Sequence, residues 1–156
     1  MHLHHTMVAH RPSPSTVPAL PCACAELRRA ARAVTRLYDA ALRPTGLRVT
    51  QFTLLQALSF AGHPLRQGVL GEILALDITT LSRTLRPLEE AKWIRSFAGA
   101  DGRERYIELT PLGRRTVERA TPAWESAQLR MQDALGSRDR AALRRVTTAA
   151  VAAAQE

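Results

Sequence analysis

The stretch from Asp77 to Arg105, DITTLSRTLRPLEEAKWIRSFAGADGRER, constrains this chain more than any other. Asp77 is a good N-cap residue, with a side-chain oxygen free to accept a backbone N–H of the following turn. Leu81, Leu85 and Leu88 then recur at the spacing that lines one face of a helix, and that face is expected to point inward. The other face carries Thr79, Thr80, Ser82, Arg83 and Arg86, with no carboxylate before Glu89. Short hydroxyls beside guanidinium forks suit phosphates and base edges.

Directly downstream, Trp93 to Phe97 and Arg105 to Leu109 read as two strands around Gly99-Ala100-Asp101-Gly102-Arg103. Asp101-Gly102 is a strong hairpin-turn signal with a polar, basic tip. A polar helix face is usually only a solvated face, and Asp-Gly hairpins occur in proteins of every function. Their adjacency and the sign of their charge favour a winged helix-turn-helix, its helix suited to a major groove and its wing to the flanking minor groove. The chain therefore reads as a DNA-binding regulator.

Net charge supports a polyanionic partner: the formal value is +8 and the pI about 11.1. Lys92 is the only lysine, and an arginine bias of this kind also arises from a GC-rich genome. Aromatics make up 4% against 46% hydrophobic residues, so the core must be mostly Leu, Ala and Val, which points to closely packed helices. No apolar run approaches the roughly 20 residues needed to span a bilayer. Histidines and prolines stand where a signal peptide would be apolar. The expectation is a cytoplasmic protein with no membrane partner.

Residues 1–19 mix histidine, proline and hydroxyl residues without periodicity and read as a disordered tail. His2, His4, His5 and His10 are potential metal ligands there, and Met7 is a second candidate initiator. From Ala23 to Leu42 apolar residues step by three and four, and Pro44 and Gly46 end that helix. Thr50 is expected to cap a second helix through Phe52 and Leu58, and Gln67 to Leu76 forms a third, weakened by Gly68 and Gly71. Pro87 predicts a kink in the arginine-bearing helix. Thr110-Pro111 starts a helix through Val117, Trp124 and Met131, which Gly136 ends; Ser137 caps a last one through Leu143, Val146 and Val151. The first helix and the last two are expected to pack together, as a closed bundle or as an interface with a second copy.

LDITTLSRTLRPLEEAKWI, the wing ADGRERYIELT and the helix start TPLGRR resemble the MarR family of bacterial transcriptional regulators over roughly residues 22–153. The resemblance implies a mainly α fold with a small β-hairpin wing. It divides the chain into a tail (1–19), an N-terminal dimerisation helix (20–48), a winged helix-turn-helix lobe (49–109) and C-terminal dimerisation helices (110–156). It implies an obligate homodimer that represses, or less often activates, from a pseudo-palindromic operator in double-stranded DNA. In that pattern Thr79, Thr80, Ser82 and Arg83 face the major groove. Arg103 reaches the minor groove, positioned by Asp101, while Arg86 and Arg105 meet phosphates. Three residues depart from it: Ile78 where arginine or another polar residue is usual, Lys92 where a glycine closes the helix, and Gly71 where alanine is common.

Cys22 and Cys24 stand at the start of the first helix, where the macrodipole favours thiolates. One reading makes them an effector site, oxidised to a sulfenic acid or intersubunit disulfide, or capturing a thiophilic metal or metalloid. The other makes them small buried apolar residues. A C-x-C pair lacks the four ligands of structural zinc. The alternative effector, by resemblance, is a small aromatic acid in a cleft; Tyr38, Phe52, His63 and Trp124 are candidate lining residues or plain core and surface. No cofactor is required. A thiol redox enzyme would call for C-x-x-C in a βαβ setting, and neither is found, so the chain reads as no enzyme. A non-specific architectural DNA binder remains the competing class.

Overall fold

The computed structural model describes residues 22–100 and 102–154. The expectations for the histidine-bearing tail and for Asp101 lie outside the described residues. In chain order the elements are α1 (Ala23–Leu42), a 3-10 turn (Arg43–Thr45), α2 (Val49–Ala61), β1 (Leu65–Arg66), α3 (Gln67–Leu74), α4 (Ile78–Glu90), β2 (Ile94–Ala98), β3 (Arg105–Leu109) and α5 (Pro111–Ala153). The mainly helical class with a small antiparallel sheet is the expected winged-helix arrangement.

Phe52, Leu54, Leu55 and Leu58 of α2 meet Leu81, Leu85 and Leu88 of α4, with Ile94 and Ile107 of the sheet closing one side and Val117 and Ala120 of α5 the other. Each fully buried leucine contributes about 2 kcal/mol of transfer free energy. Phe52 also stacks on Trp124, ring centroids 5.7 Å apart, which ties α2 to α5.

The sheet has the order β1-β3-β2. In the hairpin Ile94 faces Leu109 and Ser96 faces Ile107, while Leu65 of β1 pairs with Ile107 from the other side. β1, too short to show any periodicity, was not anticipated. It fastens the wing to the residue that begins α3.

The start of α2 corrects the expected Thr50 cap. The helix begins at Val49, whose N–H donates to Asp39 Oδ1 at 2.7 Å, while the Arg48 N–H donates to Gln51 Oε1 at 3.0 Å. An acceptor ten residues upstream on α1 replaces the local hydroxyl.

Helices α3 and α4 end alike. Ala75 lies at φ 51°, with its N–H bonded to the Glu72 carbonyl at 3.2 Å and that of Leu76 to Gly71 at 2.9 Å. Lys92 lies at φ 59°, its N–H on Glu89 at 2.9 Å and that of Trp93 on Leu88 at 3.0 Å. Both are nested Schellman closures, normally made by glycine. A side chain in this left-handed region costs about 1 kcal/mol. This closure stops α3 at Leu74, two residues short of the expected Leu76. It also accounts for Gly71, where a Cβ would approach the Leu76 carbonyl oxygen to 3.1 Å.

Thr110 caps α5 as expected, its Oγ1 accepting the Gly113 N–H at 3.0 Å and donating to the Lys92 carbonyl at 2.7 Å. Gly113 is required by proximity, because a Cβ there would lie 2.0 Å from the Trp93 carbonyl oxygen. Together these contacts fix the base of the hairpin against the end of α4. Helix α4 runs on through Pro87. Gly136, at φ 67° and ψ 175°, breaks α5 where the sequence placed a helix end.

Candidate nucleic-acid interface

The outer face of α4 presents Thr79, Thr80, Ser82, Arg83 and Arg86, all exposed, because its leucines are committed to the core. The hydroxyls divide by what they bond. Asp77 Oδ1 accepts the Thr80 N–H at 2.9 Å, and the Thr80 hydroxyl donates to Asp77 Oδ2 at 2.6 Å. The Thr80 hydroxyl first, and then its backbone N–H, hold the Asp77 carboxyl below the usual carboxylate range. Ser82 Oγ donates to the Ile78 carbonyl at 2.8 Å and accepts from Gln67 Nε2 at 3.2 Å. Thr80 and Ser82 therefore hold the first turn of α4 and its seat against α3. Thr79 and Arg83 make no side-chain hydrogen bond or ion pair among the described residues, so their donors point to solvent.

The flanking arginines are tied to the fold. Arg86 Nε pairs with Glu90 at 2.9 Å. Arg105 Nη2 reaches Glu89 at 2.9 Å and Ser96 Oγ at 2.8 Å, a strut from the hairpin to the last turn of α4. Exposed pairs of this kind stabilise by about 0–1 kcal/mol, so their effect here is to orient.

In the wing, the Gly99 N–H donates to the Glu104 carbonyl at 2.8 Å and the Gly102 N–H to Gly99 at 2.9 Å, with Gly102 at φ 70°. Arg103 is exposed in that loop. Phe97 stacks on Tyr106 at 5.8 Å, Arg95 lies 6.0 Å from the Phe97 centroid and pairs with Glu108, and Arg66 pairs with Glu104 at 2.8 Å. A groove runs between α3, the first turn of α4 and the wing, bordered by Arg66, Gln67, Ile78, Arg103 and Arg105. Arg66 escaped the sequence reading because the strand that places it is two residues long, and Gln67 was read only as the start of α3. Ile78 is 61% exposed at the mouth of the groove.

Cys22 and Cys24 are free and exposed, Cys22 at the N-cap position of α1. The expectation that they are buried small residues is thereby overturned within the subunit. Among the described residues no group of three metal-ligating side chains comes together. The four residues considered for a ligand cleft do not converge. Phe52 is core, Trp124 stacks on it, and His63 is an exposed loop residue with its ring near the Pro64 carbonyl. Only Tyr38 borders a groove, between α1 and both segments of α5, with Gln128, Met131, Arg140 and Arg144. Its hydroxyl donates to Gln128 Oε1, and burial pushes its pKa up. No helix among the described residues is long and apolar enough to cross a membrane.

The chain is similar to the transcriptional regulator MosR of M. tuberculosis, solved in complex with DNA, at 36% identity over 85% of this chain and 98% of that one, with a TM-score of 0.75. It is 31% identical over 85 residues to YwoH, an HTH-type transcriptional regulator of Bacillus subtilis (strain 168), covering 54% of this chain and 61% of that protein. A MarR-family regulator from Rhodococcus sp. RHA1 shares the fold at 21% identity, with 82% and 94% of the chains covered and a TM-score of 0.68. No family model matches the sequence.

Proposed function

The chain belongs to the MarR family of winged helix-turn-helix transcriptional regulators, and from that premise we propose that it is a homodimeric repressor of a pseudo-palindromic DNA operator, released by a small effector. The observation that carries this reading is the outer face of α4, where Thr79 and Arg83 keep unengaged donors while every leucine turns inward. Arg83 reads a base edge as a bidentate fork, with Thr79 beside it. Thr80 and Ser82 lie on the same face and set the first turn. Arg103 enters the flanking minor groove from the wing, and Asp101, two residues before it in sequence, is the residue proposed to position it. Arg86 and Arg105 meet phosphates, and their carboxylate partners hold them in register until DNA competes for them. MosR, solved on DNA, supports this docking by likeness.

The dimer is supported by what the subunit leaves uncovered. Leu143, Val146 and Val151 of the last helical segment are 49–51% exposed, and Leu27 of α1 is 38% exposed. A second copy related by a two-fold axis covers both stripes and sets the two α4 helices about 34 Å apart, one turn of DNA. Residues 20–48 and 110–156 then form the dimerisation unit around the lobe of residues 49–109.

Two features support an effector. The groove beside Tyr38 offers Arg140 and Arg144 to the carboxylate of a small aromatic acid. The exposed thiols of Cys22 and Cys24 are open to peroxide, which oxidises one to a sulfenic acid with loss of water. A second thiol, from the partner copy, then displaces another water to form a disulfide. Both thiols also suit a thiophilic metal or metalloid.

Fluorescence anisotropy on the DNA upstream of the protein's own gene tests the proposal, with the thiols reduced and then after peroxide. Competitor-resistant binding at two subunits per site is expected. Release by peroxide in the wild type but not in a Cys22→Ser/Cys24→Ser variant assigns the thiols. Binding that tracks DNA length without sequence preference would replace the repressor with an architectural binder.

A further inference from the structure

Ile78 is the one large apolar residue on the first turn of α4, and the fold makes little use of it. The core stripe of that helix is complete with Leu81, Leu85 and Leu88, each no more than 3% exposed, whereas Ile78 is 61% exposed. A β-branched residue brings no helix propensity that would explain its place. Val69 of α3 and Val151 of α5 border it on the inner side, and the rest of its surroundings are polar or charged. Ser82, bonded to its carbonyl, lies one turn on along the same side, and Arg66, Gln67, Arg103 and Arg105 border the groove in front of it. Three arginines against Glu72 and Glu104 leave the rim net basic, which suits the phosphates that wall a DNA groove, and an exposed apolar side chain is left facing the base edges between them.

We infer that Ile78 is a specificity-determining residue that packs on the C5-methyl of a thymine in each operator half-site. This rests on the DNA-reading role assigned above to α4. The major groove presents one apolar group, the thymine methyl, and the residues at the N-terminal end of a recognition helix are those that reach base edges. A lysine or arginine at this position would select guanine or phosphate instead. Ile78 is therefore expected to shift preference toward thymine at the base pair next to the one read by Thr79.

The test uses the full-length protein and duplexes it selects from a randomised 30-base-pair library, with thymines replaced one at a time by deoxyuridine, which lacks only the methyl. In the wild type one replacement per half-site should weaken binding about fourfold, the equivalent of one buried methyl group. Ile78→Ala should bind the thymine and deoxyuridine duplexes alike, and Ile78→Val should show an intermediate penalty. An unchanged penalty in Ile78→Ala assigns the methyl to another residue and overturns the inference, as does a wild type indifferent to every replacement. Val151 borders Ile78 on the side of α3. If Ile78→Ala lowered thermal stability but left thymine dependence intact, Ile78 would be serving that contact and not DNA. A library that yields no enriched sequence would instead refute the sequence-specific regulator, and this inference with it.

Discussion

The DNA-facing lobe and the terminal helices solve opposite problems. From α2 to β3 the chain closes a core of leucines against two isoleucines and the start of α5, with Phe60, Ile73, Ile78 and Phe97 left exposed on its outside. The first half of α1 and the segment after Gly136 close no such core, carrying heptad-like apolar residues that the subunit leaves 38–51% exposed. The lobe has a closed core in one copy, whereas the terminal helices carry apolar stripes that one copy covers only in part. One chain thus separates the part that must hold a rigid reading head from the part that sets where two heads stand.

The contrast gives a graded set of expectations. Leu81→Ala, at a fully buried site, should lower unfolding free energy by about 3 kcal/mol in urea titration, independently of protein concentration. A loss below about 1 kcal/mol would mean the lobe relaxes around the cavity and is not the rigid unit described. The converse change, Leu143→Asp with Val146→Asp, should leave that local core intact by circular dichroism. It should turn a dimer into a monomer in light scattering and abolish DNA binding at nanomolar concentrations. Dimeric mass in that variant would place the interface elsewhere.

Smaller effects sharpen the reading head itself. Lys92→Gly and Ala75→Gly relieve left-handed side chains and should each stabilise the protein by about 0.5–1 kcal/mol. Destabilisation would show that entropy lost by glycine outweighs the relief. The smallest effect is a pH dependence. Because the folded Asp77 carboxyl titrates below its unfolded value, its stabilisation is fully present above the unfolded pKa of about 3.9 and is lost as pH falls through the lower folded pKa. Asp77→Asn, which keeps an acceptor for the cap, should flatten that acid limb in thermal melts between pH 5 and 2.5. An unchanged acid limb would trace it to other carboxylates.

The same division explains what was legible in the sequence. Long elements with one apolar face announce themselves through spacing, as the leucines of α4 and the Thr110-Pro111 start of α5 did. The break at Gly136 was equally visible. Features made by partners distant in sequence were hidden: the two-residue strand β1, the Asp39 cap on α2, and the ion pair that ties Arg105 to Glu89. The departure at Lys92 was read as a doubt about how α4 ends. The structure keeps the glycine-type closure and strains a lysine to make it. The candidate contacts could be named by residue type, but only the structure separates Thr79 and Arg83, which face solvent unengaged, from Thr80 and Ser82, which hold the helix.

That separation is the centre of the account, and a binding profile of Arg83→Ala tests it most directly. Anisotropy is measured for wild type and variant against the selected operator and every single base-pair substitution within it. The account predicts a loss of about 1–3 kcal/mol on the intact operator and a flattened preference confined to one base pair per half-site. An unchanged profile would contradict it, because a residue that leaves every preference in place cannot be reading a base.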